Sequence, residues 1–202
     1  KAKLPTINAS GSCVSAHDFD LDGDLDLFVG GRHVPGRYPT IPQSYILQND
    51  GGKFSDVTDK VCADFKNIGM VTDIQWGDID GDQKEEMIVS GEWMPISIFK
   101  NDGKKLSNIS QNSGTANTSG WWNCLVVTDF DKDGDLDIVS GNLGKNTRLK
   151  ASSTNPIAIF AKDFDKNGSL EPIMAYTKNG QLYPFAGRDA LTKQISKIKK
   201  NY

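Results

Sequence analysis

The chain has 202 residues, 37% of them hydrophobic, with 20 glycines and a formal net charge of -3. That balance gives no strong field for nucleic acid or an anionic membrane, and no run of about 18 apolar residues exists to span a bilayer. Modest hydrophobicity with abundant glycine suits many short strands joined by turns, while three cysteines without CxxC spacing exclude a dense disulfide framework or a Cys-rich zinc site.

Taken in chain order, "CVSAH" reads as a strand and leads into "DFDLDGDLD", Asp18 to Asp26, in which five of nine residues are Asp. The apolar run "LFVGG" follows, then the connection "GGRHVPGRYPTIPQSY". Next comes "SYILQNDGGKFSDVT", which places Asn-Asp-Gly between β-prone runs, a strong hairpin signal. The pattern then recurs. "VTDIQWG", "DIDGDQKEE" from Asp78, "MIVSG" and the hairpin "ISIFKNDGKKLSNIS" form a second unit. "NCLVVT", "DFDKDGDLD" from Asp129 and "IVSGN" begin a third, whose continuation "GNLGKNTRLKASSTN" reads as loop. "IAIFAK", "DFDKNGSLE" from Asp163 and "PIMAY" begin a fourth. In "RDALTKQISKIKK", Leu191, Ile195 and Ile198 recur at helical spacing, which predicts an amphipathic helix from about Asp189 to Lys200 with Asp189 as N-cap, packed on the last repeat. Cys13 and Cys124 lie in apolar stretches and are expected to be buried thiols.

The acidic loops are spaced 60, 51 and 34 residues apart. Each unit reads strand, acidic loop, strand, connection, strand, turn, strand, and four-stranded units at this period point to propeller blades. The approximate repeats are 9–66, 67–117, 118–154 and 155–202 of a single repeat domain. The fold expected is all-β: a partial β-propeller of about three to four blades with a short C-terminal helix.

Unit charges about 4 Å apart repel by roughly 4 kcal/mol at an effective dielectric near 20, so a tightly folded Asp cluster needs a cation. Alternate side chains at loop positions 1, 3, 5 and 9 can curl around one hard ion. Position 7 would add its backbone carbonyl, as in an EF-hand, and an all-oxygen, carboxylate-rich cage selects calcium. The candidate ligands of the first loop are Asp18, Asp20, Asp22 and Asp26, with the carbonyl of Asp24. Those of the second are Asp78, Asp80, Asp82 and Glu86, with the carbonyl of Lys84. The third offers Asp129, Asp131, Asp133 and Asp137 with the carbonyl of Asp135, and the fourth Asp163, Asp165, Asn167 and Glu171 with the carbonyl of Ser169. Up to four calcium ions are expected. An EF-hand is rejected because position 12 holds Val29, Val89, Ser140 and Met174 rather than Glu, and the flanks read as β. Magnesium usually takes only one or two carboxylates. A solvated turn explains one such cluster, not four in register with one strand pattern. Because position 6 of such a loop commonly needs positive φ, Gln83 in place of Gly predicts the second loop to be the weakest site, with the fourth next.

On these residues the chain resembles the FG-GAP or VCBS calcium-loop repeats of integrin-α-type β-propellers, whose pattern is D-x-D-x-D-G-x-x-D between the first two strands of a blade. Asp18, Asp20, Asp22, Asp26 and Asp129, Asp131, Asp133, Asp137 match it in full. The second loop departs through Gln83, an early Gly81 and a final Glu86, and the fourth through Asn167 and Glu171. "GEWMPISIFKNDG", "SGWWNCLVVTDFDKDGDLDIVSGNLGKN" and "YPFAGRDALTKQ" are similar to the repeats of large secreted bacterial proteins that carry an ASPIC/UnbV module beyond the propeller. The resemblance implies calcium and an extracellular, cell-surface or periplasmic setting.

Nothing in the sequence marks chemistry. His17 and His33 are the only histidines, and HExxH, GxSxG and GxxxxGK[ST] motifs are absent. His17 is expected to pack or cap beside the first loop. The segment Gly30 to Tyr45, with Arg32, His33, Arg37 and Tyr38 among three prolines, reads as a flap over the next blade or as a ligand surface. Trp76, Trp93, Trp121 and Trp122 read as inter-blade core rather than a glycan-binding face. The function expected is a non-enzymatic scaffold for adhesion or for recognising an extracellular polymer or protein. The alternative is the propeller portion of a secreted, polysaccharide lyase-like enzyme. The start at Lys1 suggests a trimmed piece of a longer protein, whose remaining blades, or a second copy of the chain, would cover the open ends of the array. Neither nucleic acid nor membrane insertion is expected.

Overall fold

A computed structural model of the chain describes residues 3–7, 10–144, 147–195 and 198. The chain is all-β, with short antiparallel strands in meanders. Strands β1 (Ser10–His17), β2 (Asp26–His33), β3 (Tyr45–Asp50) and β4 (Lys53–Asp56) form one four-stranded sheet in sequence order. Strands β5 (Met70–Gly77), β6 (Glu86–Met94), β7 (Ser97–Asn101) and β8 (Leu106–Asn108) repeat that order. Strands β9 (Gly120–Thr128) and β10 (Asp137–Asn142) pair with no outer hairpin among the described residues, and β11 (Ile157–Lys162), β12 (Glu171–Lys178) and β13 (Gln181–Pro184) form a three-stranded sheet.

Contacts divide the chain into two compact units, Lys1–His33 with Ile41–Leu143 and Val34–Thr40 with Gly144–Tyr202. In the first unit, β5 packs on β1 and β2, and β9 packs on β5. The packing is close. A Cβ on Gly30 would lie 2.6 Å from Val71 Cγ1, and one on Gly77 would lie 2.7 Å from Val127 Cγ1. A hydroxyl crosses each of these seams at the same repeat position: Ser12 Oγ donates to the Val71 carbonyl at 2.7 Å and Thr72 Oγ1 to that of Trp122 at 3.1 Å. The core beneath is apolar and fully buried, with Phe28, Phe65, Val71, Met87, Val89 and Phe99 at its centre. Burying one such side chain stabilises the fold by roughly 1.5–3 kcal/mol.

The outer hairpins also end alike. Thr58 Oγ1 accepts from the Ile46 amide at 2.9 Å, and Ser110 Oγ from the Ile98 amide at 3.0 Å. Each hydroxyl donates at 2.6 Å to the residue two places earlier, Asp56 or Asn108. These side chains supply the rung that the strand no longer provides.

Several elements depart from the sequence expectation. A short helix α1 (Thr58–Val61) and a 3-10 turn (Ala63–Phe65) follow β4, too short to leave a helical period. The fourth repeat adds β13, where only a helix was expected. Its turn residues, Asn179 and Gly180, both have positive φ, 52° and 74°, as an Asn-Gly hairpin requires. Helix α2 spans Arg188–Gln194 with Gly187 as N-cap, so Asp189 stands in the first turn instead. Leu191 and Ile195 are joined by the Ile195 amide to Leu191 carbonyl bond of 2.8 Å, and of the expected continuation to Lys200, residues 196, 197, 199 and 200 lie outside the described residues. Strand β9 also pairs with the end of β6, Glu92 opposite Trp121 and Met94 opposite Gly120, with Trp93 at φ 60° absorbing the irregularity. Cys124 is exposed and Cys13 half-buried, so neither is the buried thiol expected. Cys13 faces the seam with β5.

The second residue of each acidic loop sorts the repeats by depth. Phe19 is 2% exposed and packs edge-to-face on Phe28 at 6.0 Å, whereas Phe130, at the same place in the third loop, is 75% exposed. Phe19→Ala is expected to cost about 3–5 kcal/mol in urea unfolding and Phe130→Ala less than about 0.5 kcal/mol. Equal losses would contradict this ranking.

Candidate metal centres

All four acidic loops are built on one hairpin. The inner strand ends one residue before loop position 1 and the next strand begins at position 9. The closing pairs are His17 with Asp26, Gly77 with Glu86, Thr128 with Asp137 and Lys162 with Glu171. Within each loop the backbone turns its amides inward. The position 1 carboxylate accepts from the amides of positions 5 and 6. For Asp18 these bonds are 3.1 and 3.0 Å, for Asp78 3.1 and 2.8 Å, for Asp129 3.2 and 3.2 Å, and for Asp163 3.0 and 2.9 Å. Position 5 accepts from the amide of position 7: Asp22 from Asp24, Asp82 from Lys84, Asp133 from Asp135 and Asn167 from Ser169, at 2.7–3.0 Å. Position 9 accepts from the amide of position 2: Asp26 from Phe19, Glu86 from Ile79, Asp137 from Phe130 and Glu171 from Phe164, at 2.8–3.3 Å.

This folding requires two left-handed residues per loop. Position 4 has positive φ at Leu21 (61°), Gly81 (74°), Lys132 (65°) and Lys166 (62°). Position 6 has it at Gly23 (95°), Gln83 (69°), Gly134 (104°) and Gly168 (89°). Every loop therefore has one glycine and one side-chain-bearing residue in the left-handed region. The second loop has merely exchanged them, so Gln83 does not set it apart. A left-handed non-glycine residue costs roughly 1–2 kcal/mol, and all four loops bear it.

The carboxylates converge. One ligand atom from each of Asp18, Asp20 and Asp22 lies within 4.8 Å of the others, as do those of Asp78, Asp80 and Glu86, of Asp129, Asp131 and Asp137, and of Asp163, Asp165 and Glu171. At an effective dielectric near 20, two charges at that separation repel by about 3 kcal/mol before solvent screening. In the first loop both oxygens of Asp26 are taken by amides, from Phe19 and from Asn49 at 2.8 Å, so positions 1, 3 and 5 make the close group. Asp20 Oδ1 and Glu86 Oε1 are buried without a hydrogen-bond partner. Buried polar oxygens are rarely left unsatisfied, and a hard cation among all-oxygen donors fits both. The residues present fit calcium.

The outer hairpins brace the first two loops. Asp24 Oδ2 accepts from the Gly51 amide at 2.8 Å, Gln48 Nε2 donates to Asp20 Oδ2 at 2.5 Å, and Asn49 Nδ2 donates to the Leu25 carbonyl at 3.1 Å. Asn101 reaches across the seam to the Phe19 carbonyl at 2.9 Å. In the second loop Lys100 donates to Asp80 and, at 2.8 Å, to Asp82. Sequence reasoning missed Gln48, Asn49, Lys100 and Asn101. The aligned hairpins "ILQNDG" and "IFKNDG" carried the signal, since they put Gln48 and Lys100 in the same place.

A family model described as FG-GAP-like repeat matches residues 18–89 and again 78–140, more than half of the chain. The chain belongs to the FG-GAP-like repeat family. Among curated proteins, none matches it. The matched residues take in the first three acidic loops. The fourth lies beyond them, yet its backbone amides make the same bonds as in the other loops, to the carboxylates of Asp163 and Glu171 and to the side-chain carbonyl of Asn167.

Neighbouring residues serve packing. His17 stacks on Trp76, with centroids 3.8 Å apart and planes at 12°, and sits 3.3 Å from Glu85. Burial pushes the imidazole below its ordinary range, against the pull of Glu85 and Asp18. Arg32 pairs with the buried Glu92, which ties the start of the long connection to the second repeat. Trp76 and Trp122 pack half-buried against the apolar core, and Trp93 lies 5.5 Å from Trp121. No helix among the described residues is long and apolar enough to cross a membrane.

Burial pushes the Asp26 carboxyl up to about 6; the Asn49 and Phe19 amides oppose the shift, and the charges of Asp20 and Asp22 add to it. Glu86 is likewise raised by burial, against the Ile79 amide. The second loop also shows the reverse effect, with Asp82 lowered chiefly by its hydrogen bond from Lys100, which Asp80 and Asp82 raise in turn. For Asp26 the folded pKa exceeds the unfolded one. Its contribution to the metal-free fold is therefore greatest below the unfolded value, about 3.8, and falls as pH rises toward 6. A cation held by Asp18, Asp20 and Asp22 favours the ionised form beside them. The calcium-minus-chelator difference in thermal midpoint is thus expected to grow between pH 5 and 7 and then level off, and Asp26→Asn to flatten that rise. A difference independent of pH over that range would overturn the assignment.

Proposed function

We propose that the chain is a calcium-stabilised, extracellular propeller-type scaffold that presents its loops to an extracellular glycan or protein, and that adhesion or recognition rather than catalysis is its work. The observation that carries the reading is the repeated loop: four hairpins of one register, each gathering three acidic side chains behind inward-turned amides. Membership of the FG-GAP-like repeat family supports the propeller scaffold. Calcium in the millimolar range, as outside a cell or in a periplasm, would complete such loops. The likeness to secreted bacterial proteins with an ASPIC/UnbV module extends the reading to a larger parent protein. Its further blades, or a second copy of the chain, would cover the exposed Val126 and Val139 of β9 and β10.

Recognition would fall to the inter-strand loops. Arg32 is committed to Glu92, and the tryptophans are half-buried, which leaves exposed loop residues such as Arg37 as the contact groups. The second-repeat connection contributes nothing cationic of its own to such a surface.

Calcium bound to the native state alone adds RT ln(1 + [L]/Kd), about 2.7 kcal/mol per site at a hundredfold excess over Kd. For a chain of this size that corresponds to roughly 5–10 °C per site. Calorimetric melts in chelator, calcium and magnesium are expected to rank calcium clearly highest, with magnesium giving less than half its gain. Equal midpoints in chelator and calcium would overturn the reading.

A further inference from the structure

We propose that Lys100 is the resident counter-cation of the second acidic loop, so that this loop is held closed by an internal ammonium and accepts calcium only by displacing it. The inference rests on the calcium reading of the loops and adds which loop departs from it and why.

The register makes the comparison with the first loop direct. Strand β2 pairs with β3 as Leu27 with Leu47, Phe28 with Ile46 and Val29 with Tyr45. Strand β6 pairs with β7 as Met87 with Phe99, Ile88 with Ile98 and Val89 with Ser97. Leu27 and Met87 stand at the same distance from position 1 of their loops, so Leu47 corresponds to Phe99 and the next residues, Gln48 and Lys100, correspond as well. Both reach back to loop position 3. Gln48 brings a neutral amide to Asp20 at 2.5 Å. Lys100 brings a full positive charge to Asp80 and, at 2.8 Å, to Asp82.

The two loops share the amide bonds to position 1, the place of the closing pair and one left-handed glycine each. They differ at position 9, where Asp26 stands outside the close group and Glu86 within it, and in the charge that meets positions 3 and 5. An ammonium has three donors and no acceptor, so it satisfies carboxylate oxygens as a cation does but cannot itself become a metal ligand. Its four-carbon stem, anchored on β7, makes the charge intramolecular and always present. Glu86 remains beneath with Oε1 buried and unpartnered, and with Asp78 and Asp80 it forms the close acidic group. A divalent ion entering there has to draw Asp80 away from Lys100 and tolerate a neighbouring positive charge. No such competition arises from the Gln48 amide. The second loop thus depends less on calcium for its folding than the first and has the lower affinity for it.

Calcium titration calorimetry on the full chain, with melts in chelator alongside, tests this. Lys100→Gln, which copies the first loop, is expected to gain at least tenfold in calcium affinity at one site. The gain should vanish when Asp80→Asn is added, which locates it. In chelator the Lys100→Gln midpoint should fall below that of the unsubstituted protein, because the loop has lost its internal cation. The reciprocal Gln48→Lys should weaken one calcium site at least tenfold and raise the midpoint in chelator. Should no protein in the series bind calcium while Lys100→Gln still lowers the chelator midpoint, the calcium reading fails and the counter-cation role of Lys100 stands. An unchanged isotherm together with an unchanged chelator midpoint in Lys100→Gln would overturn the proposal.

Discussion

Three acidic side chains gathered within 4.8 Å are the constraint around which each repeat is organised. The repulsion among them is partly met by the backbone itself. Two consecutive amides converge on position 1, another reaches position 5, and another reaches position 9. These bonds hold the connection between two antiparallel strands in one shape, with the strands on either side in fixed register. The local chemistry of the loop and the pleat of the sheet are thereby coupled: shifting the register by one residue would turn position 9 away from the amide of position 2. A bound cation would complete this arrangement rather than create it.

The loop also joins layers of the fold. In the first repeat, Phe19 turns into the core between two acidic residues, its carbonyl receives Asn101 from the neighbouring repeat, and the outer hairpin reaches in through Gln48, Asn49 and Gly51. The loop there is a joint between inner strands, outer strands and the next repeat. In the third repeat no outer hairpin follows among the described residues, and Phe130 is largely exposed beside the same acidic frame. One loop geometry thus survives in two very different settings, which shows that its shape comes from its own amide-to-carboxylate bonds and the strand pair beneath, not from burial.

Charge compensation is therefore the variable part of the design. A neutral amide faces the first loop and an ammonium the second, from the same place on equivalent hairpins. Each repeat keeps the frame and alters what balances it. The seams follow the same economy: Ser12 and Thr72 make the same crossing bond from equivalent places, while the side chains around them differ.

The sequence by itself determined the repeat, the strand–acidic loop–strand order and the loops from which each acidic group is drawn, while the fold decided which three side chains of a loop lie closest. The repeat, its order and its loops are local features, since a fixed spacing of carboxylates between two β-prone runs allows few other foldings. The Asn-Asp-Gly hairpins were legible for the same reason, and the Asn179-Gly180 turn carried an equally local signal for β13. Tertiary structure alone decided what surrounds each loop. Nothing in the string "DIDGDQKEE" indicates that Lys100, on a strand begun eleven residues beyond it, brings an ammonium to Asp80 and Asp82. Nor does it show that Gly81 and Gln83 exchange left-handed positions without changing the loop. The pairing of β6 with β9, the exposure of Cys124 and the contrast between Phe19 and Phe130 arise from which strand pair lies next door. Proximity between distant segments is set by sheet register and seam packing, and those are settled only when the whole chain has folded.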